Sequence, residues 1–140
     1  MIKSKISGVG YYVPENIVKN SDIEEMMDTS DQWIRERTGI EERRWVNDDK
    51  LSTSLMGTYA SEAAIKDAGI DKNDIDFIIF STLSPDYYFP GSGVLLQRNL
   101  KIKEVGALDV RNQCSGFIYG LSIADQYIKS GMYKNILVVG

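Results

Sequence analysis

Two apolar rhythms run along this chain: unbroken runs of four, and helical spacings that end at glycine. The runs are "FIIF" at 77–80 and "ILVV" at 136–139. Continuous apolar runs this short, flanked by turn residues, predict strands buried on both faces. "GALDV" reads as a third short strand, and "KISGVGYYVP" as a fourth that ends at Pro14. Between them lie helical patterns. Ser21 with Glu24 three residues later forms a capping box that predicts a short helix beginning there. "TSDQWIRERTG" predicts a helix from Thr29 or Ser30 to a terminating Gly39. "LSTSLMGTYASEAAIKDAG" carries Leu55, Met56, Tyr59, Ala60 and Ala63 at helical spacing and stops at Gly69. "GSGVLLQRNL" and "CSGFIYGLSIADQYIKSG" complete the set, the second closed by Gly131.

The order is strand, helices, strand, helix, strand, helix, strand. This alternation predicts an α/β layer protein with a largely parallel sheet and right-handed crossovers. Crossover sheets carry their binding loops at the carboxyl ends of the strands. Gly140 follows a buried-type strand at the point where another strand-to-helix loop is expected, so the pattern reads as half of a larger unit.

The 140 residues suffice for one domain with a real core, and 43% hydrophobic with 26% charged residues is ordinary for a globular protein. No apolar run is long enough to span a membrane, and "ISGVGYYVP" lacks the apolar block of a signal peptide. The single cysteine, Cys114, has no partner for an internal disulfide, so a cytoplasmic location is the economical expectation. A net charge of −4 gives no support to nucleic-acid binding. In "RERTGIEERR", Arg35, Arg37, Arg43 and Arg44 alternate with Glu36, Glu41 and Glu42, the pattern of a solvated, ion-paired face. The chain has no histidine, which removes His-based acid–base catalysis and most transition-metal sites from its own repertoire. "GVGYYV" lacks the third glycine of a dinucleotide loop, and "DKNDID" has Asp76 where a calcium loop requires glycine. No metal is expected.

Cys114 is the candidate with chemistry. A lone cysteine is often a small core hydrophobe. Here polar Arg111, Asn112 and Gln113 precede it, and small Ser115 and Gly116 follow. It falls where a strand hands over to a helix, and unpaired helix amides favour an anion there. The same amides would stabilise the oxyanion formed when a thioester is attacked. Behind it, Phe117, Leu121, Ala124 and Ile128 form an apolar stripe, with Gly116 and Gly120 one turn apart, so the helix is expected to be central and buried.

"DTSDQWIRERTGI" at 28–40, "PG" at 90–91, "CSGF" at 114–117, and then "LSIADQYIKSG" and "LVVG" resemble the 3-oxoacyl-(acyl-carrier-protein) synthase III family, in order and spacing along the whole chain. That resemblance implies the thiolase-like fold, layered αβαβα in full, with residues 1–140 supplying its N-terminal βαβαβαβ-type half and the C-terminal half absent from this chain. It implies that Cys114 is acylated by an acyl-coenzyme A, with its own amide in the oxyanion hole. The acyl enzyme then condenses with malonyl carried on acyl carrier protein, losing carbon dioxide. Trp33 matches the residue that stacks on the adenine of coenzyme A, and Thr29 and Arg37 match residues lining that nucleotide site. Phe89 matches an aromatic that crosses a homodimer interface to shape the partner's acyl pocket. Coenzyme A thioester is thus a substrate, and no permanently bound cofactor is implied. The family's catalytic histidine and asparagine belong to the second half, so these 140 residues alone are expected not to condense anything.

Asn112 and Gln113 stand where the family commonly has small alanines, and the loop "SPDYYFPG" adds Tyr87 and Tyr88. Both changes fall near the expected acyl pocket, so Gln113 joins Phe89 as a candidate pocket residue and the starter acyl group is left open. Two alternatives stand beside the condensing enzyme. One is another thiolase-fold acyltransferase or acyl–acyl condensing enzyme of secondary metabolism. The other is a non-catalytic acyl- or coenzyme A-binding module.

Overall fold

The computed structural model describes residues 2–140, which divide into two compact units, Val13–Leu51 and the rest (2–12 with 52–140). The smaller unit contains strand β1 (Ile17–Lys19), helix α1 (Asn20–Glu24), helix α2 (Asp31–Thr38) and strand β2 (Glu42–Arg44). β1 and β2 pair antiparallel with Val18 opposite Arg43, a ribbon the apolar pattern did not predict. Helix α2 follows its sequence signals: the Ser30 hydroxyl accepts from the Trp33 amide, and Gly39 ends it at a left-handed φ of 70°. Helix α1 begins earlier than its predicted box. Lys19 occupies the N-cap and its amide donates to the Asp22 carboxylate at 2.7 Å, so Ser21 and Glu24 do not form the cap.

The arginine-rich stretch divides in two. Arg35 pairs with Asp31 at 2.9 Å and Glu41 at 2.6 Å, and Arg44 lies 3.6 Å from Glu42, as expected of an exposed face. Arg43 does not belong to that face. It is half-buried and donates at 2.8 Å to Oδ1 of Asn20, whose amide nitrogen donates to Asp31 and to the Ile40 carbonyl. A buried amide needs such partners, because leaving it unpaired is costly.

The larger unit contains α3 (Thr53–Ala68), β3 (Phe77–Ser81), α4 (Ser92–Leu100), β4 (Gly106–Val110), α5 (Gly116–Lys129) and β5 (Ile136–Val139). Its sheet runs β4-β3-β5, all parallel, with Ile79 level with Leu108 and Val138. β3 sits between two strands, and Ile78 and Ile79 are both fully buried, so the "FIIF" run is covered on both faces as expected. Ile78, Phe80, Leu137 and Val139 form one core cluster with Leu96 and Leu100 of α4. Helix α5 covers the opposite face, where Gly120 approaches Ile79, Ser81 and Val138.

Three sequence expectations for this unit need correction. "KISGVGYYVP" is not a strand. It has no ladder partner and lies instead along α3, where the Val9 amide donates to Asp67 and Gly8 and Gly10 approach the backbone of Ala64. The buried face of α3 is not the stripe of Leu55, Tyr59 and Ala63 but Ser54, Gly57, Thr58 and Ser61. Those hydroxyls can be buried because Thr58 and Ser61 donate to carbonyls one turn back, at 2.7 and 2.6 Å. Helix α5 is buried on one side only, along Gly116, Gly120 and Ala124, while Phe117, Ile118 and Tyr119 face outward. Its small residues, not its large ones, make the sheet contact.

A side chain at position 120 would meet Val138 at 3.1 Å, Ser81 at 3.2 Å and Ile79 at 3.3 Å, all on the sheet. Gly120→Val is therefore expected to destabilise the protein by about 1–3 kcal/mol through overpacking. The check is a lowered urea midpoint at unchanged slope.

Candidate active site

β3 and β4 end side by side, with Ser81 opposite Val110, and both connectors leave the carboxyl edge of the sheet. The connector after β4 is a tight turn. The Asn112 amide donates to the Val110 carbonyl, the Gln113 amide donates to Asn112 Oδ1 at 2.7 Å, and the Gly116 amide donates to the Gln113 carbonyl at 2.8 Å. Cys114 sits within this turn with its thiol exposed, two residues before α5 begins. The cysteine is thus no core residue. The Ser81 hydroxyl, at the end of β3, donates to the Gly116 carbonyl at 2.9 Å and fixes the start of α5 against the sheet. Ser115, at the N-cap, makes no side-chain bond to the helix amides. The turn therefore presents a thiol beside the positive end of a fourteen-residue helix, a setting that stabilises developing negative charge. Gln113 is exposed next to it.

The connector after β3 carries Phe89, which is 90% exposed, and Tyr88, which is 93% exposed. Its ends are firmly held. The Thr53 hydroxyl donates to the Ser84 carbonyl at 2.6 Å. Asp86 accepts from the Ser54 amide and hydroxyl and from the Ser92 hydroxyl. Asp109 of β4 accepts from the amides of Ser92 and Gly93 at the start of α4. Gly91 has φ 101°, and a Cβ there would lie 2.6 Å from the Asp109 carboxylate, so this "PG" glycine is required on both counts. The Phe89–Pro90 bond is cis. Asp86 and Asp109 were not singled out in the sequence. Their only local signal is an acid beside the loop's proline and another within a β-type run.

The remaining candidates lie in the smaller unit. An open depression of about 440 Å³ is lined by Met27, Asp28, Thr29, Ser30 and Trp33. Trp33 is 54% exposed. The Arg37 guanidinium, one turn further along α2, lies 5.4 Å from the Trp33 ring centroid. Thr29, Trp33 and Arg37 thus form one cluster: a flat exposed ring, a hydroxyl and a cation. This combination suits a nucleotide base and its phosphates.

The family model described as 3-oxoacyl-[acyl-carrier-protein (ACP)] synthase III matches residues 108–140, the segment that contains Cys114. Beta-ketoacyl-[acyl-carrier-protein] synthase III 1 of Vibrio parahaemolyticus is 53% identical over 137 residues, 98% of this chain. The crystal structure of 3-oxoacyl-[acyl-carrier-protein] synthase III from Aquifex aeolicus superposes with a TM-score of 0.91 at 45% identity, over 99% of this chain. Over almost its whole length the chain is similar to members of the 3-oxoacyl-[acyl-carrier-protein] synthase III family. Its α/β fold is accordingly thiolase-like. A priming beta-ketosynthase from the R1128 polyketide pathway shares the fold, with a TM-score of 0.90 at 34% identity over 96% of this chain and 40% of its own. The chain spans 43% of the Vibrio relative and 44% of the Aquifex one, less than half of each. Among the described residues, no helix is long and apolar enough to cross a membrane.

Burial pushes the Asp86 carboxyl up, and the donors around it, Ser92 and Ser54 among them, more than reverse this and hold it below the usual carboxylate range. A depressed carboxyl stabilises the folded state above its unfolded value of about 3.9 and loses that contribution as pH falls through the folded value. The stability gap between wild type and Asp86→Asn should therefore be constant near neutrality and close at low pH. Urea titrations at a series of pH values check this, and an unchanging gap would contradict it.

Proposed function

We propose that this chain carries the nucleophile and part of the coenzyme A site of a condensing enzyme that initiates fatty-acid synthesis. One observation carries the reading: the sole cysteine is exposed in the turn between β4 and the N-terminus of α5, in a chain similar to this family. The Cys114 sulfur, as thiolate, attacks the carbonyl of an acyl-coenzyme A thioester. A tetrahedral oxyanion forms beside the α5 amides and the amide of Cys114 itself. The carbon–sulfur bond to coenzyme A then breaks, and coenzyme A leaves as a thiolate that takes up a proton. In the second half-reaction malonyl on acyl carrier protein loses carbon dioxide. The carbanion left behind attacks the acyl carbonyl, a carbon–carbon bond forms, and the Cys114 thioester breaks to release 3-oxoacyl carrier protein. With no histidine among these 140 residues, support for decarboxylation must come from elsewhere in the full-length protein.

Trp33 stacks on the adenine of coenzyme A in this reading, with Thr29 and Arg37 beside it. Phe89 and Gln113 shape acyl pockets, Phe89 that of a partner subunit in a homodimer. The exposed aromatics at 87–89 support the last assignment, because apolar side chains of that size normally find a cover. The protein needs no permanently bound cofactor and works in the cytoplasm. The starter acyl group, and whether it feeds housekeeping lipids or a secondary product, follow from which donors acylate Cys114.

Two measurements test the reading. Incubating the full-length protein with a series of acyl-coenzymes A should add one acyl group to its intact mass, and Cys114→Ala should abolish the increment. Unchanged acylation in that variant would remove Cys114 from the mechanism. Trp33→Ala should raise KM for acyl-coenzyme A about tenfold, the order of one stacked base. It should leave the rate with acyl N-acetylcysteamine thioesters, which lack the nucleotide, unchanged. Equal loss with both donors would contradict the stacking role.

A further inference from the structure

The loop between β3 and α4 is anchored near both ends, through Ser84 and Asp86 on one side and Ser92 on the other. Between those anchors its aromatic apex, Tyr87–Phe89, has one backbone tie among the described residues. That tie is Arg111. Its Nη2 donates to the Tyr88 carbonyl at 3.1 Å and, more weakly, to the Tyr87 carbonyl at 3.5 Å. Its guanidinium carbon also lies 5.7 Å from the Tyr88 ring centroid. Arg111 is the first residue after β4 and the third before Cys114. The same side chain therefore joins the aromatic loop to the turn that presents the thiol.

A guanidinium suits this task. Its planar fork can reach two adjacent carbonyls while its face lies against an aromatic ring, and an ammonium can do only one of these at a time. Arg111 is exposed, as are Tyr87, Tyr88 and Phe89, so burial does not hold this apex in place. Without the tie, nothing else among the described residues binds the backbone of 87–89.

We infer that Arg111 is a positioning residue that locks the aromatic loop in register with the Cys114 turn and so sets the acyl-chain selectivity of the enzyme. The selectivity clause rests on the reading of Cys114 as the acylated nucleophile and of Phe89 as a pocket residue. The tether clause stands on geometry alone. Arg111 touches no reacting atom in this scheme. It acts through where it holds Tyr88 and Phe89.

The test uses Arg111→Gln and Arg111→Lys in the full-length protein, with two readouts. The first is the rate of chymotryptic cleavage after Tyr87 and Tyr88 in the native protein. Cleavage there should be about tenfold faster in Arg111→Gln, the order expected when one charge-assisted hydrogen bond no longer holds the loop closed. Arg111→Lys should be intermediate, and cleavage after Tyr119 and Tyr127 of α5 should be unchanged. The second is the rate of Cys114 acylation by acyl-coenzymes A of two to ten carbons. The ratio of kcat/KM between long and short donors should change at least about fivefold in Arg111→Gln, with the change residing in KM, and Arg111→Lys should restore part of it. Unchanged cleavage after Tyr87 and Tyr88 overturns the tether. Faster cleavage with an equal loss for every donor, or with no change in the ratio, overturns the role in selectivity. Absence of acylation in the wild type overturns the nucleophile reading and the selectivity clause with it, while the cleavage experiment still decides the tether.

Discussion

Strand β3 is the constraint on which the larger unit depends. It has a parallel neighbour on each edge and a helical layer on each face, and Ile78 and Ile79 point to opposite faces with no exposure at all. Ile78, Ile79 and Phe80 are all buried, so the register to β4 and β5 is fixed: a one-residue slip would exchange the two faces throughout. Because β3 and β4 end level, the loops that follow them emerge together. The Cys114 turn and the aromatic loop are neighbours for that reason.

Polar side chains then convert that proximity into defined geometry. Ser81, at the last position of β3, bonds the first residue of α5. Asp109, one residue from the end of β4, caps α4, which follows the aromatic loop. Ser81 thus links β3 to the helix that follows β4, and Asp109 links β4 to the helix that follows β3. Small residues make this possible: Gly116 and Gly120 bring α5 close to the sheet, and Gly91 leaves room for the Asp109 carboxylate. The large apolar residues one would assign to the core, Phe117 and Phe89 among them, face outward instead. Exposed apolar groups of this size are the kind that another protein surface covers.

The sequence made the repeated elements plain. β3, β5, α2 and α4 carried apolar runs or paired cap signals strong enough to set their positions. What it concealed were contacts that depend on absence or on distant partners. The buried face of α3 is made of serine, threonine and glycine, and no hydropathy pattern distinguishes it from an exposed one. The segment before Pro14 alternates like a strand but has no ladder to join, and pairing is a property of two segments. β1 and β2, three residues each, are too short to show a period. At the site, Cys114 was legible because a lone thiol amid polar residues is unusual. Asp86 and Asp109 were not, because a carboxylate that binds a backbone amide 32 or 17 residues away looks like any surface acid. The cluster of Thr29, Trp33 and Arg37 was legible only through family resemblance. Helical spacing then placed Trp33 and Arg37 on one face, four residues apart.

Chemistry at Cys114 is the central claim, and peptide-resolved alkylation tests it most directly. Full-length protein is incubated with an acyl-coenzyme A panel, free coenzyme A is titrated, and the protein is then treated with iodoacetamide and digested. If Cys114 is the acyl acceptor, an effective donor blocks alkylation of the Cys114 peptide and releases one equivalent of coenzyme A. Full alkylation of that peptide after every donor, with no coenzyme A released, would contradict the claim.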